Sequence, residues 1–202
     1  MTLDKQTFGK IIDRLSLTEE VRIADIPDID LYMDQMLTFL NGKLASLKRD
    51  PEDKLLTKTM INNYTKQQLL MPPKNKKYNK EHVLLLILIY QLKNVLSITD
   101  IQHLFHPILK DMTTTEDDVM PLVDIYTTFL DLKKEQFDEF CGHFGEKISF
   151  INQKTQGIDS ENNRSVAELF LTVLMLIAQA NVAKRLAQEI IDGYFATDES
   201  ID

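Results

Sequence analysis

The chain has 202 residues, of which 44% are hydrophobic and 27% charged, proportions that exclude a largely disordered protein and fit one mid-sized domain or two small ones. Its 23 Lys and Arg against 31 Asp and Glu leave a net charge of −8, which taken whole argues against a surface coated for nucleic acid or an anionic membrane. Six Gly, six Pro and no Trp disfavour sandwiches, propellers and Gly-rich nucleotide folds, which need many tight turns.

Cys141 is the single cysteine, so no disulfide forms within the chain and a reducing cytoplasm is the expected setting. The first residues mix Asp4, Lys5, Lys10 and Asp13 with apolar ones and hold no signal-peptide core. Two apolar runs, Val83 to Tyr90 and Val166 to Ala180, fall short of the roughly 20 residues that cross a bilayer. Both read as buried helices of a soluble protein.

The apolar period is helical almost throughout. Phe8, Ile11, Ile12 and Leu15 predict a short amphipathic helix, followed by a connector over 22–28. Asp30 is the expected cap of a long helix carrying Leu31, Met36, Leu40 and Leu47 to an end at Lys48–Pro51. Thr57 caps a short helix with Met60, Ile61 and Tyr64, which Pro72 and Pro73 stop. After a compact lysine-rich turn, Asn79 caps a helix to about Lys93, apolar on all sides over 84–89 and so buried all round. Ser97 or Thr99 opens another, ended by Pro107. Further helices are expected from Thr115, with Glu116, Asp117 and Asp118 at its start, from about Lys133 to Phe150, and from Ser165 to Tyr194, after a loop over 155–164. The fold class is all-α, with one tiny hairpin at most. Three parts follow: an N-terminal helix and connector (1–28), a central module (29–107) and an acidic helical region (108–202).

Charge is distributed unevenly. Residues 42–80 hold ten positive and three negative side chains, a local +7, whereas 108–202 holds 8 and 18, a local −10. A basic module sits inside an acidic protein.

The basic residues surround a recognisable pattern. Thr57, Tyr64, Leu69-Leu70, Pro72-Pro73, Lys76-Lys77, Tyr78-Asn79 and the Ser97-Ile-Thr-Asp-Ile101 element together resemble the winged helix-turn-helix of MerR-like regulators over about 54–105. In that resemblance Thr57 caps a recognition helix, Lys76-Lys77 form a β-hairpin wing, and Asn79 caps the next helix. Gln68 stands where the pattern has a left-handed glycine, and Asn62 where a basic residue is frequent. From about Ile23 to Tyr194 the chain is also similar to the bacterial family catalogued as domain of unknown function 1836, through Asp30–Leu37, Thr57–Thr65 and Tyr78–Ile89. That family name brings no activity with it.

The winged-helix resemblance implies a DNA-binding transcriptional regulator that contacts double-stranded DNA through Lys58, Thr59, Asn62, Asn63 and Lys66 on the recognition helix and Lys74, Lys76 and Lys77 on the wing. Tyr64 is open to two roles, phosphate contact or core. Asn can pair with adenine in the major groove, and lysines mostly meet phosphates. The rival expectation is a non-enzymatic scaffold that binds protein through the same fold. Val182, Leu186 and Ile190 mark the C-terminal helix as a candidate for homodimerisation.

No nucleophile elbow, P-loop, zincin or dinucleotide fingerprint occurs, so neither an enzyme nor a cofactor is expected. His103 with His106, and Cys141 with His143, lack the ligand sets of a metal site. The pairs Glu19-Glu20 and Asp117-Asp118 read as solvated helix starts. No motif names an effector.

Overall fold

A computed structural model describes residues 5–15, 19–50, 52–109 and 120–196. The protein is mostly helical. Among the described residues it has seven α-helices: α1 (Lys5–Leu15), α2 (Met33–Lys43), α3 (Lys58–Lys66), α4 (Lys80–Leu92), α5 (Ile98–Leu109), α6 (Leu122–Thr155) and α7 (Glu161–Tyr194). Two short strands, β1 (Leu31–Tyr32) and β2 (Lys77–Tyr78), pair antiparallel with Leu31 opposite Tyr78 and Tyr32 opposite Lys77. The chain divides into two compact units, one of residues 1–19 and 131–185, the other of 20–130 and 186–202.

The 20–130 unit is built around α4. Residues His82 to Tyr90 of that helix are all buried, so no face of it meets water, as its all-round apolar sequence requires. Met36 and Leu40 of α2, Ile61 of α3, Leu69 and Leu70 after it, and Ile101 of α5 join the same core. Tyr126, near the start of α6, is 1% exposed and donates from its hydroxyl to the Val21 carbonyl at 2.7 Å, tying residues 105 positions apart. Burial pushes this phenol far above its ordinary pKa, with the Glu20 and Asp25 carboxylates adding to the rise. A buried tyrosine needs such an acceptor.

The other unit has a thin core. Phe8 of α1 stacks on Phe144 of α6 with ring centroids 3.8 Å apart. Thr155 Oγ1 donates to Glu168 Oε1 at 3.1 Å, and Lys147 Nζ to Gln179 Oε1 at 3.0 Å, joining α6 to α7.

Several boundaries differ from expectation. Asp30 caps nothing: Leu31 and Tyr32 pair as β1, and α2 starts at Met33, where the Tyr32 N–H is held by Gln35 Oε1 at 2.9 Å. The helix ends at Lys43, and a 3-10 turn over Ala45–Leu47 carries the apolar pattern onward. Ser97, not Thr99, heads α5: its hydroxyl accepts from the Asp100 N–H at 3.1 Å and Asp100 Oδ2 answers to the Ser97 N–H at 3.0 Å. Pro107 lies inside α5, because so near the helix end it removes only one backbone bond, and the chain stays helical to Leu109. The expected helix start at Thr115, with Glu116, Asp117 and Asp118, lies outside the described residues. Lys133 begins no new helix, since α6 runs unbroken from Leu122 through it for 34 residues. Ser165 lies inside α7, whose first turn is capped from further back than expected: Arg164 N–H donates to the Ser160 carbonyl and Asn163 N–H to its hydroxyl.

The largest correction concerns the second apolar run. Val83–Tyr90 is buried, but Val166–Ala180 is not: Val166 is 59% exposed and Phe170 62%. By length and composition α7 could cross a membrane.

Candidate nucleic-acid interface

The residues of α3 separate cleanly by helical angle. At about 100° per residue, Lys58, Thr59, Asn62, Asn63 and Lys66 span an arc of about 140°. All five are exposed, while Ile61 and Tyr64, on the opposite arc, are buried. Tyr64 thus belongs to the core: burial raises its hydroxyl pKa, and its carbonyl accepts the N–H groups of Leu69 and Leu70 that close the helix end. That burial does not fit a phosphate contact, and the other eight expected residues lie outside the core.

Both ends of α3 are fixed locally. Thr57 Oγ1 accepts from the Met60 N–H at 3.2 Å, capping the start. At the other end Gln68 takes φ 56°, the left-handed conformation usually given to glycine.

Three longer contacts, not legible in the sequence, set where α3 points. The Asn41 amide of α2 makes both backbone bonds to Leu56, donating at 3.2 Å and accepting at 3.1 Å. Lys93 at the end of α4 donates to the Leu55 carbonyl at 2.9 Å and lies 4.6 Å over the Tyr90 ring; burial holds its amine below the ordinary lysine value. Gln102 of α5 donates to the Gln67 carbonyl at 2.7 Å. The segment on which α3 depends is therefore gripped by α2, α4 and α5. No periodic signal marks these three residues.

The segment expected to form a wing, 74–77, is a tight turn and not a free-standing hairpin. Lys77 N–H donates to the Lys74 carbonyl at 3.0 Å, and a single bridge joins these two residues. Asn75 and Lys76 both take positive φ, 52° and 62°, the pattern of a type I′ turn. The next residues, β2, pair with β1 rather than folding back along their own hairpin, which places the turn beside the start of α2. Lys76 occupies a position that glycine would take with less strain.

The lysines are not equivalent. Lys58 Nζ lies 2.7 Å from Asp34 Oδ1 in the first turn of α2, and Lys77 Nζ lies 5.4 Å over the ring of Tyr32, which precedes that helix. These two contacts bring the start of α3 and the lysine turn to the same end of α2. Lys66 sits on the same exposed arc as Lys58, about 12 Å further along α3. Among the described residues, Lys66, Lys74 and Lys76 have no carboxylate partner. Elsewhere in the basic segment, Lys43 pairs with Asp25 at 3.3 Å and Lys80 with Asp28 at 2.8 Å. Both carboxyls sit below their ordinary pKa, Asp25 through the Arg22 backbone N–H and then Lys43, Asp28 through Lys80. Part of the local +7 is thus balanced by acids from the preceding segment, and the remainder is concentrated on α3 and the turn.

Behind the turn, His82 holds the start of α4. Its N–H donates to Asn79 Oδ1 at 3.1 Å while its Nδ1 accepts from the Asn79 N–H at 3.1 Å. Its ring meets Tyr78 edge-on at 5.3 Å, and its Nε2 makes no hydrogen bond among the described residues. Burial holds the imidazole below its ordinary pKa, although the Pro72 and Met71 backbone and the Glu81 and Asp30 carboxylates favour the charged form.

The remaining reactive groups are dispersed. Among the described residues no three His, Cys, Asp or Glu side chains gather as metal ligands. His103 is half-buried on α5 and His106 exposed. Burial and the Asp138 carboxylate push the Cys141 thiol upward, the opposite direction to a nucleophilic cysteine.

No curated protein and no solved structure matches the chain. Residues 21–129 match the family described as domain of unknown function (DUF1836), and they coincide with the continuous part of the unit built around α4. That match takes in more than half of the chain and every candidate contact, from Lys58 to Lys77, and by it the protein belongs to the DUF1836 family.

Proposed function

We propose that the 20–130 unit is a MerR-like winged helix-turn-helix and that the protein is a cytoplasmic DNA-binding transcriptional regulator. One observation carries the reading: α3 exposes an unbroken arc of two lysines, two asparagines and a threonine, and the lysine turn adjoins the end of α2 that Lys58 reaches. The element order supports it as well, since β1, α2, α3, the turn with β2, and α4 follow one another as a winged helix requires. In this reading α3 enters the major groove, Asn62 and Asn63 read base edges, and Lys66, Lys74, Lys76 and Lys77 meet phosphates. Lys58 is free to join them, because an exposed ion pair such as that with Asp34 is worth at most about 1 kcal/mol.

The strain at Lys76 fits the same account. A lysine held at φ 62° is retained at a cost that a contact made by its side chain would justify. A scaffold role is the second reading. Asp34 beside Lys58 favours it, since a carboxylate at that end of α3 repels a phosphate backbone.

Replacing Lys76 and Lys77 with Glu tests the proposal. The double variant should keep its helicity and lose retention on mixed-sequence duplex DNA at about 50 mM salt. A folded variant retained as well as the parent would remove the wing from the account. A parent chain not retained at all would favour the scaffold.

A further inference from the structure

The part of α7 within the 131–185 unit has a buried side and an exposed apolar side. Ser165 and Thr172 are buried, with Leu169 and Leu176 half-buried on the same side. On the other side Val166, Phe170, Val173, Leu174 and Ile177 are between 48% and 62% exposed. At about 100° per residue these five fall within an arc of about 100°, a coherent stripe and not scattered surface. It ends where Asn181 and Lys184 take over the same face. Leu171, at its edge, lines an apolar groove of about 580 Å³ between α6 and α7, whose far wall is Phe150, itself 60% exposed.

We infer that this face is the contact between two copies of this chain, in which the α6–α7 pairs of two protomers close on one another as a four-helix arrangement. Each exposed side chain in the stripe and groove offers on the order of 100 Å², so the patch presents about 700 Å² per chain. That approaches the roughly 800 Å² that each partner contributes to a stable interface, and it exceeds the largest apolar patch of an ordinary monomer. A stripe of this kind is self-complementary under a two-fold axis. Nor does charge oppose the pairing: 131–185 holds seven positive and eight negative residues, so two copies do not repel. The same near-balance gives no excess with which to attract a strongly charged partner. A helix lying on a membrane flanks its apolar face with lysine and arginine, whereas the charges over 161–177 are Glu161, Arg164 and Glu168.

The need for a cover is visible in the unit itself. Its buried residues among those described are Phe144, Ile151, Thr155, Ser165 and Thr172, with only two large apolar side chains. Small units with so little core are commonly completed by oligomerisation. Dimerisation through this face does not depend on DNA binding.

Light scattering on the full chain at roughly 100 µM tests it, because self-association is governed by protomer concentration. The parent should run as a dimer, and Phe170→Glu with Leu174→Glu should give a monomer of unchanged far-UV helicity. Should that variant lose helicity, Val173→Cys in a Cys141→Ser background decides the matter: oxidation should yield a disulfide-linked dimer, and its absence would overturn the assignment. So would a parent that stays monomeric, a folded double variant that stays dimeric, or a monomeric parent that floats with neutral phosphatidylcholine vesicles.

Discussion

Two apolar helical segments of this chain meet opposite fates. Residues 83–90 of α4 are buried, whereas five apolar residues between Val166 and Ile177 of α7 are about half exposed. Composition alone does not distinguish them. The difference lies in what each unit supplies: α4 has α2, α3, α5 and the β1–β2 ribbon within its own unit, while the 131–185 unit offers its stretch of α7 little beyond α1 and α6. An apolar run states that a surface wants a neighbour, not whether the neighbour is in the same chain.

This comparison is sharpest in stability. Leu85→Ala in α4 should cost about 2–5 kcal/mol through lost burial and a cavity, whereas Leu174→Ala should scarcely alter the unfolding of a chain kept dilute enough to be monomeric. Urea titration followed by circular dichroism measures both. Equal losses would mean that α7 is as buried as α4.

A second difference is electrostatic, and it belongs to the α4 side. With His82 held below its ordinary pKa, the unfolded chain gains a proton near pH 6.5 that the folded chain resists. The contribution of the neutral ring is intact above about pH 6.5 and is lost as pH falls through that value toward the lower folded one. Urea midpoints should therefore drop from pH 7.5 to pH 5.5, and His82→Gln, which keeps the reach to the Asn79 N–H, should flatten that drop. A variant with the parent's full pH dependence would clear His82 of the effect.

The smallest expected change is at the turn. Lys76→Gly should raise stability by roughly 0.5–1 kcal/mol by relieving the positive φ, while weakening DNA retention. A gain in stability with unchanged retention would reduce Lys76 to a strained residue without a contact.

The local features of this fold were legible and the tertiary ones were not. Thr57 and Asn79 announced their helices because capping is a matter of a few adjacent residues. Gln68 could be placed in the left-handed region only through the resemblance, since it stands where the winged-helix pattern has its glycine. By contrast, β1 and β2 have two residues each, too few for an alternating pattern, and the partners Leu31 and Tyr78 are separated in the chain by the whole of α2 and α3. Asn41, Lys93 and Gln102, which orient α3, look like ordinary helix-surface residues until the fold brings Leu55, Leu56 and Gln67 beside them. Of the candidate site, the exposed arc of α3 followed from helical spacing, and Tyr64 fell out of it because the same spacing turns it inward.

If a basic face carried by an acidic protein binds the DNA backbone, its affinity must depend on salt. Fluorescence anisotropy of a labelled duplex across a salt series tests this most directly. With Lys66, Lys74, Lys76 and Lys77 meeting phosphates, the logarithm of affinity should fall linearly with the logarithm of salt at a slope of about −3 to −4 per protomer. Affinity that is absent at low salt, or that does not change as salt is raised, would contradict the account.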